Sequence, residues 1–162
     1  MHDAAYTYLL RHSAIVPHGP ILEIGSRFVN GTARALFPAC PAYIGIDLIP
    51  GRCVDTVADG ATYLPPIQPV GIVCAEVLEH TASARDICRH AAEVLGPGGV
   101  LLLTAAGEGR APHSAVDGGP LRAGEYYRNV TTDDLQEWLG GFRDTQIEVN
   151  AVAGDIYARA VK

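Results

Sequence analysis

Glu76, Glu79 and His80 fall in the string CAEVLEH (74–80) at spacings i, i+3 and i+4. One helical turn gathers residues so spaced on a single face, which brings two carboxylates and an imidazole together. Two oxygens and a nitrogen suit a divalent ion such as magnesium, and His113, in a long loop further along, supplies a further donor if the four converge. The same imidazole has a second use. An imidazole titrates near ~6.5, so His113 is able to take a proton from an acceptor hydroxyl or amine and act alone as a catalytic base. Ordinary packing of the 76–80 string and a solvated loop histidine are the competing readings of these residues.

A second set of residues follows three apolar runs. Glu23 precedes Gly25 at a sharp turn, Asp47 ends the run YIGID, and Asp59-Gly60-Ala61 comes after CVDTV. An acid after the second strand accepts two hydrogen bonds from a ribose diol. Asp59 can accept from an adenine amino group over the small backbone of Gly60 and Ala61, although an Asx turn explains it almost as well. Gly25 lets the backbone approach a ligand closely. Glu23 repels a phosphate but accepts a hydrogen bond from an ammonium group. The turn does not read GxGxxG, so a nicotinamide dinucleotide is poorly supported. The three acids describe a pocket for a ligand carrying an amine, a ribose and an adenine, without phosphate.

The elements that must position these groups alternate. A helix is expected over 3–14 with Asp3 as its N-cap, then a strand at ILEIG, a short helix over 31–37 stopped by Pro38, a strand over 42–47 and a strand over 53–57. VGIVCAE (70–76) reads as a strand covered on both faces. A helix over about 83–95 capped by Ser83, a strand over 98–106 and a helix capped by Thr131 or Thr132 follow. Period-two alternation in 144–150 and 152–161 predicts an antiparallel ending. Five β-α units and a hairpin make an open, doubly wound α/β sheet, with ligands at the carboxyl ends of the strands. The stretch 107–130 exceeds the usual loop length and is expected to be functional, on the substrate side. Tyr126 and Tyr127 either wall the acceptor pocket or pin this loop, and Tyr6, Tyr8 and His12 either close its other side or cover the sheet.

Composition narrows the function classes. A chain of 162 residues, 48% hydrophobic and 19% charged, is expected to form one domain, 1–162, with a real core. Twelve basic residues against eighteen acidic give 12 − 18 = −6, the wrong sign for a protein that neutralises long nucleic acids. No apolar run reaches the ~18 residues of a membrane span, and the first residues lack a signal-peptide pattern, so a cytoplasmic protein is expected. Cys40, Cys53, Cys74 and Cys88 have neither CxxC nor zinc-finger spacing and are expected to be reduced, small buried hydrophobes.

The series LEIGSRFVNGT, YIGID, ADGA, CAEVLEH, LGPGGVLLLTAAG and YYRNVTTDDLQEWL, in this order and spacing, resembles the small "type 11" class I S-adenosylmethionine-dependent methyltransferases from residue 20 onward. The resemblance implies a Rossmann-like seven-stranded sheet, mostly parallel with a reversed last strand. It also implies Glu23, Gly25 and Ser26 near the methionyl end, Asp47 and Leu48 at the ribose, Asp59, Gly60 and Ala61 at the adenine, and Glu76 on the cofactor side. Arg27 and Phe28 stand where the family commonly has glycine. The EVLEH string is similar to that of ubiquinone-pathway O-methyltransferases and small-RNA terminal ribose methyltransferases, in which such residues bind magnesium or a similar ion. It is not (D/N)PPY, which argues against DNA bases as acceptors. The reading is therefore transfer of a methyl group to a small or local acceptor, at oxygen. The alternatives are a cofactor-binding module without turnover and an RNA-terminal ribose methyltransferase.

Overall fold

The computed structural model describes all residues, 1–162. Helix α1 (Asp3–Ser13) precedes strands β1 (Ile21–Ile24), β2 (Tyr43–Asp47), β3 (Thr56–Val57) and β4 (Gly71–Ala75). Helix α2 (Ala84–Val94), β5 (Val100–Ala106), α3 (Thr132–Trp138), β6 (Asp144–Asn150) and β7 (Asp155–Val161) complete the chain. The strands form one seven-stranded sheet in the order β3-β2-β1-β4-β5-β7-β6. β1 to β5 are parallel, and β7 inserts antiparallel between β5 and β6. The order reverses between β1 and β4, so the loops leaving those strands part and leave a crevice at their carboxyl ends.

Alternation along each strand feeds two cores. Leu22, Ile24, Ile46, Ile72, Leu101 and Leu103 pack against Ile87, Cys88 and Ala91 of α2, its C-cap Leu95, and Leu135 and Leu139 of the α3 segment. Ile21, Val73, Leu102 and Tyr157 face Ala5, Tyr8 and Leu9 of α1, where the Tyr8 and Tyr157 rings stack with centroids 4.6 Å apart. Thr131 caps α3 in a reciprocal box: its side chain accepts from Asp134 N, and Asp134 accepts from the Thr131 backbone. All four cysteines are free, with Cys74 and Cys88 buried. No helix is long and apolar enough to cross a membrane.

Several local expectations change. The helix expected over 31–37 is only a 3₁₀ turn, Arg34–Leu36. The segment between Gly31 and Pro38 is too short to repay helix nucleation, and Ala33 N is bound by a side chain, that of Glu23. β3 shrinks to two residues because Cys53 takes φ 70° in a turn whose Val54 N bonds Gly51 O. The connections around β3 are loops, so fewer β-α units exist than the alternation implied. Asp3 is the first helical residue rather than the cap, a position taken by His2, and it faces the positive end of the helix instead. Ser83 stands at the α2 N-cap but makes no cap bond, since its φ −88° and ψ 14° are not extended.

Candidate functional site

β1 delivers the first part of the site. Gly25 sits at φ 77°, and a Cβ there would lie 2.2 Å from Val77 Cγ2, so the turn tolerates only glycine. Gly25 N and Ser26 N both donate to Ile46 O at 2.9 Å, which folds the chain over the end of β2. There Asp47, which lines the crevice, receives Arg27 N on Oδ2 at 3.3 Å and Ile49 N on Oδ1 at 2.9 Å. Past β3, Asp59 Oδ1 accepts from Ala61 N at 2.8 Å, the Asx turn, and buried Gly60 packs on Ile24. These loops wall a cavity of about 750 Å³ lined by Gly25, Asp47, Leu48, Asp59, Gly60 and Glu76. That is a volume in the upper half of the usual range for small-ligand sites, roughly 300–1,000 Å³.

Three of the expected cofactor-side residues are disposed differently. Glu23 borders the cavity but is only 3% exposed, and protein donors fill its carboxylate: Ala33 N at 3.1 Å, Tyr43 OH at 2.9 Å and Thr32 Oγ1 at 3.5 Å. Burial raises its pKa. Its contribution is to pin the loop after β1. Ser26 is not in the lining; its buried Oγ, without a partner, is directed toward Gly45. Ala61 packs against the core instead of facing the cavity.

The opposite wall comes from β4, β5 and the loop after β5. Glu76 holds φ 58°, a sparsely populated conformation for a side-chain-bearing residue, fixed by its N–H on Thr104 O at 2.8 Å. Its Oε1 accepts from Thr104 Oγ1 at 3.0 Å, and its Oε2 lies 3.6 Å from His2 Nε2. Glu76 is therefore not a member of the expected carboxylate–imidazole group. Leu78–His80 form a 3₁₀ turn rather than an α-turn, and Glu76 precedes it in the left-handed region, so the i, i+3, i+4 geometry breaks there.

Glu79, His80 and His113 do converge, with one donor atom from each lying within 4.8 Å of the others. Glu79 is fully buried behind the cavity wall; Oε1 accepts from Ala106 N at 3.2 Å and Oε2 has no partner. Burial, and then the charge of Glu76, pushes its pKa up to about 8. His80 Nδ1 also lacks a partner, and burial, followed by His113, lowers its pKa to about 4. The rings of His80, His113 and Tyr127 meet edge to face, with centroids 4.9 to 5.5 Å apart. His113 Nδ1 is 3.1 Å from Ala111 O; a carbonyl only accepts, so Nδ1 carries the proton and Nε2 of the neutral ring is left as the base atom.

Tyr127 thus pins the loop as part of this ring trio, whereas Tyr126 is exposed. Tyr8 is buried against the sheet, and neither Tyr6 nor His12 reaches the cavity, where Met1 and His2 stand instead. His2 belongs to a network missed in the sequence. Asp155, fully buried at the start of β7, accepts from Arg110 and from Tyr157 OH at 2.6 Å; Arg110 also donates to His2 Nε2 at 2.9 Å, which lies 3.1 Å from Asp155 Oδ2. The only sequence signal for it was an acid at the start of a mostly apolar strand.

Neither a protein-family model nor any curated protein matches the sequence. Solved structures do match. The N-methyltransferase NodS from Bradyrhizobium japonicum, in complex with S-adenosylhomocysteine, superposes with TM-score 0.61 at 18% identity over 94% of this chain and 82% of its own. The 1,6-didemethyltoxoflavin-N1-methyltransferase of Burkholderia thailandensis, holding its acceptor and S-adenosylhomocysteine, gives TM-score 0.66 at 17% identity over 99% and 77%. The YcgJ protein of Bacillus subtilis gives 0.73 at 13% identity over 99% of each chain. The fold is that of the class I S-adenosylmethionine-dependent methyltransferases.

Proposed function

We propose that the chain is an S-adenosylmethionine-dependent methyltransferase acting on an oxygen of a small-molecule acceptor. The observation that carries this is a single cavity at the β1/β4 crevice with two chemically distinct walls: Asp47, Asp59 and Gly60 on one, His80 and His113 on the other. The first wall fits the cofactor, since Asp47 keeps free lone pairs for a ribose diol and the glycine turn leaves backbone room. When bound, the cofactor's sulfonium supplies the electrophilic methyl group. The chain's residues then need only align the acceptor in line with it and remove a proton, the role we assign to His113 Nε2. The four acids in the lining, Glu23, Asp47, Asp59 and Glu76, disfavour a polyanionic substrate, in keeping with the net charge of −6.

A second reading of the base is favoured by the unpartnered Glu79 Oε2 and His80 Nδ1. Glu79, His80 and His113 would hold a divalent ion such as magnesium, which lowers the pKa of an acceptor hydroxyl. Two experiments test these readings, the first of the cofactor and the second of the base. Calorimetry is expected to show S-adenosylhomocysteine binding and none of NAD, with Asp47→Ala weakening it by ~1 to 3 kcal/mol through lost charge-assisted hydrogen bonds. Binding of NAD without response to S-adenosylhomocysteine overturns the proposal. Once an acceptor is identified, loss of turnover with chelator and its return with magnesium favour the ion. Indifference to chelator with a ~10²- to 10⁴-fold loss in His113→Ala favours the base alone.

A further inference from the structure

Arg27 occupies the turn after β1, yet its side chain works on the far side of the cavity. Its Nη2 donates to Ala115 O at 2.9 Å and to Val116 O at 3.1 Å, consecutive carbonyls of the loop after β5. The guanidinium stem lies along Gly51, where a Cβ would come within 3.0 Å of Arg27 Cγ, so its direction is set by the backbone beneath it. Meanwhile the Arg27 backbone N–H donates to Asp47, the acid proposed for the ribose. One residue therefore spans both walls. A second contact runs beside it, since Asn30 Nδ2 lies 3.1 Å from the Cβ position of Gly118.

The segment that Arg27 grips is a unit. Ser114 Oγ donates to Glu125 Oε1 at 2.7 Å, Ser114 N to Gly119 O at 2.8 Å and Gly118 N to Ser114 O at 2.9 Å, while Arg122 N donates to Glu125 Oε2 at 2.9 Å. His113 pairs with Pro120 across the base of this knot. Only the residues at its ends continue into the sheet and α3. The knot 114–125 therefore loosens as one body once its grip on the β1 turn is released, and His113, joined to it through the Pro120 pairing, keeps only its ring contacts with His80 and Tyr127.

We propose that Arg27 is a positioning residue, a latch that holds the acceptor-side loop 114–125 on the cofactor turn and so couples cofactor occupancy to assembly of the acceptor site. The proposal rests on the methyltransferase reading for the identity of the ligand, but the latch itself is a property of the unliganded chain. A ligand that fixes the Asp47–Arg27 backbone contact also fixes the Arg27 side chain, and by reciprocity a closed loop tightens ligand binding by the same factor.

Limited trypsin digestion reads the latch directly, because Arg122 is exposed inside the knot and its cleavage requires local opening. Cleavage after Arg89 in α2 serves as the reference for general unfolding. Without ligand, Arg27→Ala is expected to be cut after Arg122 roughly five- to tenfold faster than the unsubstituted protein, with the Arg89 rate unchanged. Arg27→Lys, whose ammonium still donates to one of the two carbonyls, is expected to recover part of the protection. Saturating S-adenosylhomocysteine slows the Arg122 cut in the unsubstituted protein and in Arg27→Lys, but not in Arg27→Ala. Equal Arg122 rates for unsubstituted protein and Arg27→Ala overturn the latch, as does a rise at Arg89 equal to that at Arg122, or full S-adenosylhomocysteine protection in Arg27→Ala. If S-adenosylhomocysteine does not bind the unsubstituted protein, the methyltransferase reading fails, while the unliganded rates still decide the latch.

Discussion

Glu79 offers the sharpest physical test of the site. Its carboxyl is fully buried and titrates at about 8 in place of 4.5, because burial penalises the charged form and Glu76 repels it. The folded chain therefore keeps a proton that the unfolded chain has lost over the whole window between those values. With more protons bound in the native state, stability falls as pH rises, by up to about 1.4 kcal/mol per pH unit. His80 opposes this in part of the window. Its folded pKa of about 4 against 6.5 means that the unfolded chain binds the extra proton, so stability rises with pH up to 6.5. The two slopes cancel below pH 6.5, and only the falling one remains from there to pH 8.

Glu79→Gln isolates the effect. The amide oxygen keeps the bond from Ala106 N and never ionises, so the difference in stability between variant and unsubstituted protein cancels His80 and every other shared group. That difference is expected to move in favour of the variant by roughly 3 kcal/mol between pH 5 and pH 7, and to level off above pH 8. On a total stability of about 5 to 15 kcal/mol this is readily measured by urea unfolding followed through the single tryptophan, Trp138, with chelator present. A difference that stays flat from pH 5 to 8, or that moves against the variant, refutes the buried-acid argument. Adding magnesium or manganese tests the ion reading in the same assay. A bound ion stabilises the unsubstituted protein at pH 8 and leaves Glu79→Gln unmoved.

Two further substitutions probe what holds the walls in place. Leu102→Ala removes a fully buried side chain from the α1 face of β5 and is expected to cost about 2 to 5 kcal/mol in urea unfolding with an unchanged slope. Thr131→Ala breaks the capping box of α3 and is expected to cost about 1 kcal/mol, a smaller loss because the acid of Asp134 still faces the helix N-terminus.

What could be read from the sequence follows the range of the interactions. Strands β1, β2, β4 and β5 were legible because each is a short apolar run ended by an acid or a turn, and Thr131 because a cap and its box partner are three residues apart. Asp47 and Asp59 were legible as strand-end acids. Glu76 was misplaced since the i, i+3, i+4 argument presumes helical dihedrals, and one residue at φ 58° removes it from the face. Glu23, Ser26 and Ala61 sit at the right loops but their side chains answer to Ala33, Gly45 and the core, contacts that no local period encodes. The Asp155 network, joining residues 2, 110 and 155, depends wholly on the sheet bringing three distant segments together.

The turn after β1 shows how a loop can lack the glycines of the motif it resembles and keep its geometry. Glycine is required only where φ is positive, and between Ile24 and Thr32 that holds at two places, 25 and 31, both of which are glycine here. Arg27 and Phe28 take ordinary negative φ, so the side chains there cost the backbone nothing. The Arg27 N–H still reaches Asp47, and Phe28 N still bonds Arg52 O at 2.9 Å while its ring lies under the Arg52 guanidinium. The two non-glycine residues therefore leave this wall of the cavity intact and add what glycine cannot, a side chain long enough to cross the cavity and hold the loop after β5.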